Sequence, residues 1–248
     1  MNFLRGASFS ILVAVIAPFA TFVLAPQPAS TFERVEEFET RGVILESVDY
    51  DDRPAVSVEY ESRGFRDWLG IAKSMIGLDS DPPNPIARIA GSEFSNGTIE
   101  VDLSSSIAAS VLGMARGFAG IAFRVSDDME KYEVVYLRPA NGRVDNEDRR
   151  SHALQYSSHP NFHFDASRRE SPGQYETSAD IGLNEWVKLR IEVEGENADI
   201  FVNGEYALTV DDLKLGADGS GGIALWVGIG TKAYFSNLTI SQSPNLSD

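Results

Sequence analysis

The 248-residue chain contains no cysteine, which excludes a disulfide framework, a thiolate nucleophile and a cysteine-held metal. Histidine is scarce too, at three residues, so a zinc site would have little to draw on. Positive charge is in short supply: 21 Lys and Arg stand against 37 Asp and Glu, for a net charge of −16. A phosphate backbone would be repelled by such a surface, which excludes nucleic acid as a partner. Contact with a membrane is expected only through an uncleaved N-terminal segment. No Gly-x-Ser-x-Gly elbow and no phosphate loop occur. Gly219-Ser220-Gly221-Gly222 reads as a turn.

The one long apolar run is at the start. After Arg5 no charge interrupts Ala7 to Ala25, the pattern of a signal peptide or an N-terminal anchor over residues 1–29. Pro18 breaks the run, and Pro26 follows the small-residue site Val23-Leu24-Ala25. Export is therefore expected, to a secreted, periplasmic or cell-surface location. Residues 30–41 read as an acidic linker, 42–243 as one domain and 244–248 as a tail.

A hydrophobic fraction of 43% suffices to fill a core, and its patterning has period two. Val187, Leu189, Ile191 and Val193 alternate with Lys188, Arg190, Glu192 and Glu194, which makes a strand with one dry face and one wet face. Gly195-Glu196-Asn197 is turn chemistry, and Ala198, Ile200 and Val202 carry a second strand inward. A hairpin dry on one side needs a second sheet to cover it, so the expected fold is an all-β sandwich of two antiparallel sheets. Leu189 and its neighbours should be buried, with Trp226 or Phe235 meeting them across the sandwich. Further strands are expected at Gly42–Tyr50, Ala55–Tyr60, Ile86–Gly91, Gly97–Leu103, Phe118–Val125, Tyr132–Arg138, His152–Ser157, Gly221–Val227 and Lys232–Ser241. Ser104–Arg116 reads as a loop. Trp68, Leu69, Ala72, Met75 and Ile76 fall at helical spacing, which predicts one short helix near 66–77.

Several segments in this order resemble a known superfamily: Phe94-Ser-Asn-Gly-Thr-Ile-Glu-Val-Asp102, Phe118-Ala-Gly-Ile-Ala-Phe-Arg124, Tyr136-Leu-Arg-Pro139, Ala153-Leu-Gln-Tyr156, Trp186-Val-Lys-Leu-Arg190 and Tyr234-Phe-Ser-Asn-Leu-Thr-Ile240. Together they look like the concanavalin A-like lectin/glucanase superfamily, and more narrowly the laminin-G-like and 3-keto-disaccharide hydrolase-like secreted bacterial domains. The resemblance covers roughly Val43 to Gln242. It implies a jelly-roll whose concave face or edge loops meet carbohydrate, and it carries the fold better than the reaction.

Three functional classes stay open: a glycan-recognition module, a glycoside hydrolase acting on a glucan or (3-keto-)disaccharide, and a structural interaction module. Hydrolysis needs two carboxylates roughly 5–10 Å apart. Glu100 and Asp102, at i and i+2, share one strand face and are the candidate acids. The third acid that jelly-roll glucanases place just beyond such a pair is missing, since Leu103 and three serines follow. Sugar binding instead needs planar multi-donor groups and an aromatic plate. Tyr136, Arg138, Asn141, Arg150, Gln155, Tyr156, His159 and His163 supply both in one stretch, which is expected to line a concave, solvent-open face. No third ligand accompanies His159 and His163, so no metal and no cofactor are expected. A structural calcium would draw on Asp127-Asp128 or Asp79-Ser-Asp81.

Overall fold

In the computed structural model, residues 35–64, 85–108 and 115–243 are described, together with positions 66, 69 and 113. Apart from positions 66 and 69, the helix expected near 66–77 lies outside them, as do the loop carrying Asp79 and Asp81 and residues 1–34. Two seven-stranded antiparallel sheets face each other. The first contains β1 (Phe38–Arg41), β4 (Ile86–Ile89), β6 (Ala119–Val125), β7 (Tyr132–Leu137), β8 (Leu154–His159), β9 (Glu176–Thr177) and β13 (Gly222–Val227). Its order is β1-β4-β13-β6-β7-β8-β9. The second contains β2 (Val43–Tyr50), β3 (Arg53–Tyr60), β5 (Gly97–Ile107), β10 (Val187–Glu194), β11 (Asn197–Val202), β12 (Glu205–Val210) and β14 (Thr231–Gln242). It runs β12-β11-β10-β5-β14-β3-β2.

Period-two alternation decides which residues face inward. Val187, Leu189, Ile191 and Val193 are buried while Lys188, Arg190 and Glu192 between them are half-buried on the outer face. They join Ile99, Val101, Leu103 and Phe235 of the same sheet, and Ile121, Phe123, Leu225 and Val227 of the other, in one core. Both aromatics depart from expectation: Phe235, on β14, joins the core from the same sheet as Leu189 and not from across the sandwich, and Trp226 leaves that core. It takes the opposite face from Leu225 and Val227 and packs against a smaller cluster with Tyr132, Val134 and Tyr136. Gly120 makes this possible: it pairs with both Trp226 and Tyr136, and a Cβ there would come within 2.1 Å of the Val135 carbonyl oxygen. The absent side chain lets the two rings approach to 4.7 Å.

Several segments depart from the sequence reading. β5 continues through Ser104 and Ser105 to Ile107, paired with β14 throughout; small serines carry no alternating apolar signal, yet the β14 ladder holds them in the strand beyond Leu103, where pairing with β10 ends. Residues 38–41, at the end of the expected linker, form the edge strand β1, paired with β4 from Phe38↔Ile89 to Arg41↔Ile86. The polar stretch after β8 folds into α3 (Phe164–Glu170). It follows two single-turn helices, α1 (Pro139–Gly142) and α2 (Glu147–Arg150). The β2–β3 hairpin turns through Asp51 and Asp52, both at positive φ, as a two-residue turn of the hand that matches strand twist requires.

Candidate functional site

The stretch from Tyr136 to His163 comes together, though not as an open face. Tyr136 and Gln155 are register partners on β7 and β8. Arg138, just past β7, donates from Nη2 to the Tyr136 hydroxyl at 3.0 Å and to Gln155 Oε1 at 3.1 Å. All three are buried, as is Asn141. Tyr156 points the other way, into the core, where its hydroxyl donates to Glu133. Arg150 is spent on the Val144 carbonyl. Tyr136, Arg138 and Gln155 bond to one another, while Asn141, Arg150 and Tyr156 are paired with other groups of the protein. Buried polar side chains must be paired, and here the protein itself supplies the partners.

What remains open lies beside them, at the edge of the first sheet. A cleft of about 530 Å³ is lined by Ser151, His152, Arg168, Glu176, Thr177 and Ser178, with Pro172 and Gly173 at its lip. Glu176, on β9, is its floor, with a side chain only 3% exposed. Arg168, from α3, holds that carboxylate with both arms: Nε reaches Oε1 at 2.9 Å and Nη2 reaches Oε2 at 2.8 Å. Such a fork is the strong, orienting form of an arginine–carboxylate pair. Arg138 Nη1 stands 3.7 Å from the same Oε2. His152 Nδ1 is 2.9 Å from it, close but without hydrogen-bond alignment. Burial, reinforced by the Arg168 charge, holds the His152 imidazole below its ordinary value and so neutral. The arrangement is a carboxylate pinned by a guanidinium with a neutral imidazole against it, in a partly open cleft.

Glu176 has no signature in the sequence. Its partners are Arg168, Arg138 and His152, gathered by a helix, a strand end and a turn, and a lone acid in Gln174-Tyr175-Glu176-Thr177 offers no spacing to detect. Arg168 and His152 are visible as part of a basic stretch, without a hint of which acid they serve.

The expected acids, Glu100 and Asp102, do share the outer face of β5. Lys188 Nζ bridges them, at 2.8 Å from Glu100 and 3.3 Å from Asp102. Its hydrogen bond with Glu100 holds the ammonium above its usual range. Asp102 also faces Arg53 at 3.3 Å and accepts from Asn237 at 2.8 Å. These contacts describe an ion-paired strand face. Asp127 is bound to Arg88, and Asp128 accepts from Ser126 and the Glu130 amide. Among the described residues no three His, Cys, Asp or Glu side chains gather in a way that could hold a metal.

His159 and His163 meet edge to face at 4.2 Å, with His159 stacked on Tyr132 at 4.3 Å. Burial, aided by His163, pulls His159 down to about 3. A base whose pKa is lower in the folded state favours folding while neutral, so this contribution is complete above about 6.5 and is lost as pH falls toward 3. At pH 4.5 the loss is about 3 kcal/mol. Denaturant melts of wild type and His159→Gln from pH 7.5 to 4.5 should converge as pH falls; parallel curves would refute this assignment.

The two opposed seven-stranded sheets, with a polar cleft at one edge, define a jelly-roll of the concanavalin A-like class. Residues 75–241 match the family described as the 3-keto-alpha-glucoside-1,2-lyase-like domain, and the chain belongs to that family. No curated protein matches. Among solved structures, the carbohydrate binding module CBM66 from Bacillus subtilis is similar at 15% identity and a TM-score of 0.50, covering 82% of this chain and 98% of that one. A Bacillus subtilis protein of unknown function with a galectin-like fold is similar at 11% identity and a TM-score of 0.53, over 88% and 95% of the two chains. At these identities the likeness is one of fold.

Proposed function

We propose that this domain binds carbohydrate in the cleft floored by Glu176. The observation that carries the reading is the pinned carboxylate itself: Glu176 is held by Arg168 with His152 beside it, at the bottom of a cleft of saccharide size. Fixed donors and acceptors of this kind match vicinal hydroxyls, and they are costly to bury unless they serve a ligand or a network. Similarity in fold to a carbohydrate binding module agrees with this reading.

A second reading is favoured by the family and by one contact. The family description names a lyase of 3-keto-α-glucosides, and a neutral imidazole 2.9 Å from a buried carboxylate is suited to accept a proton from a carbon next to a ketone. The hydrolase reading centred on Glu100 draws less support, because Lys188 engages both of its acids. Action outside the cytoplasm is also part of the proposal and rests on the apolar run from Ala7 to Ala25.

Calorimetry with a panel of glucosides and 3-keto-glucosides tests both readings. Arg168→Met and Glu176→Gln should each weaken binding at least tenfold, since a charge-assisted contact contributes about 1.5–3 kcal/mol. If both variants melt cooperatively and bind as wild type does, or if wild type binds nothing, the cleft is not a sugar site. If the protein is a lyase, His152→Ala should abolish turnover of the keto sugar while binding of the unreactive glucoside changes little.

A further inference from the structure

The residue types sought near Tyr136 occur together a second time, on the outer face of the other sheet. Alternation sends Val56, Leu103, Val187 and Phe235 into the core, so their neighbours Ser57, Ser104, Trp186 and Tyr234 face outward. Tyr234 pairs with Ser57 on one side and Ser104 on the other. Trp186 lies one residue beyond the Val187↔Leu103 pair, which brings it alongside Ser104. Tyr50, at the end of β2, lies flat on Tyr234 with ring centroids 3.7 Å apart and meets Trp186 edge-on at 5.6 Å. Arg53 sits 5.1 Å over the indole and reaches Asp102.

Three hydrogen-bonding atoms in this patch have no partner: Trp186 Nε1, Ser57 Oγ and Ser104 Oγ. Both serines are 1% exposed. Buried polar atoms are ordinarily paired, so three unpaired ones beside an aromatic plate call for a ligand that supplies hydroxyls. Charge narrows the choice. Arg53 and Lys188 are matched by Asp102 and Glu100, which suits an uncharged partner.

We propose that this face is a second carbohydrate site, taking a neutral hexose unit whose ring stacks on Tyr234 in the place now held by Tyr50. Tyr50 is carried by the exposed hairpin turn at Asp51 and Asp52. Its departure opens Tyr234, the indole N–H and the two serines together. The site lies on the sheet opposite the Glu176 cleft and does not depend on it.

Titration with an α-linked and a β-linked gluco-hexasaccharide, followed by amide NMR and calorimetry, separates the two sites. Glu176→Gln removes the cleft contribution, and that protein should still bind one of the hexasaccharides, with shifts at residues 53, 102, 186 and 234. Adding Trp186→Phe or Tyr234→Ala should weaken this binding at least tenfold. Adding Tyr50→Ala should leave it as tight or tighten it, an outcome that loss of a merely structural ring would not give. If Glu176→Gln protein binds neither probe, or if Trp186→Phe and Tyr234→Ala leave binding unchanged, the second site does not exist. Small-glucoside binding that keeps its wild-type affinity and stoichiometry in both Glu176→Gln and Tyr234→Ala proteins counts against both sites, whereas binding kept in Glu176→Gln but lost on adding Tyr234→Ala counts against the cleft alone.

Discussion

Arg124→Met is expected to destabilise the fold by about 3–5 kcal/mol, the range for removing one member of a buried charged network. Arg124 is 1% exposed, and its guanidinium is the meeting point of three turns. Nε and Nη2 donate to the Ser95 carbonyl, Nη1 to Gly216 and Nη2 to Gly195. Ser95 precedes β5, Gly195 joins β10 to β11, and Gly216 lies in the long connection before β13. Glu133 complements the arginine from inside. It accepts from the Leu215 amide and the Tyr156 hydroxyl, and Tyr156 in turn accepts from the Lys214 amide. Burial pushes the Glu133 carboxyl above its usual range and the Arg124 guanidinium below it. Methionine matches much of the arginine volume and meets the same positive φ of 54°, so the variant isolates the lost hydrogen bonds. Glu133 would then be left buried with less to balance it. Chemical denaturation should show a lower midpoint with an unchanged slope, and a loss below 1 kcal/mol would show that these turns hold without the guanidinium.

Leu189→Ala should cost about 2–5 kcal/mol, the span for a large-to-small change in a close-packed core. Leu189 is 1% exposed. It sits in the middle of the second sheet, paired with Val101 on β5 and Val202 on β11, so neighbouring strands restrict how far the site can collapse. The cost should therefore fall in the upper part of that range. A near-neutral melt would place Leu189 outside the core. Lys188→Ala, one position away on the wet face, is the matched control and should cost well under 1 kcal/mol, as a partly exposed ion pair does.

The contrast between those neighbours shows what a linear pattern conveys. Alternation from Val187 to Val193 states which side chains must leave water, and burial of a whole face is decided by that period, whatever the rest of the chain does. The same logic placed β2, β3, β10, β11 and β14, and the superfamily likeness rested on the order of six segments between Phe94 and Ile240. It misread Trp226, because Leu225 and Val227 on either side are apolar too and a strand buried on both faces has no alternation to read. It also stopped β5 at Leu103, where serines replace branched residues.

The candidate sites belong to the other category. Arg138, Gln155 and Tyr136 were recognisable as sugar-binding residue types, but whether such groups face a ligand or one another depends on pairing across strands. Here the register closes them onto each other and leaves Arg168 and His152 to meet Glu176. Glu100 and Asp102 were legible as two acids on one strand face, while Lys188, 88 residues from Glu100, became their partner only through the β5–β10 ladder. Burial is set by local composition and period, and so is written in the sequence itself. The partner of a charge is set by long-range register and by turns that cross from one sheet to the other, and only the folded chain decides it.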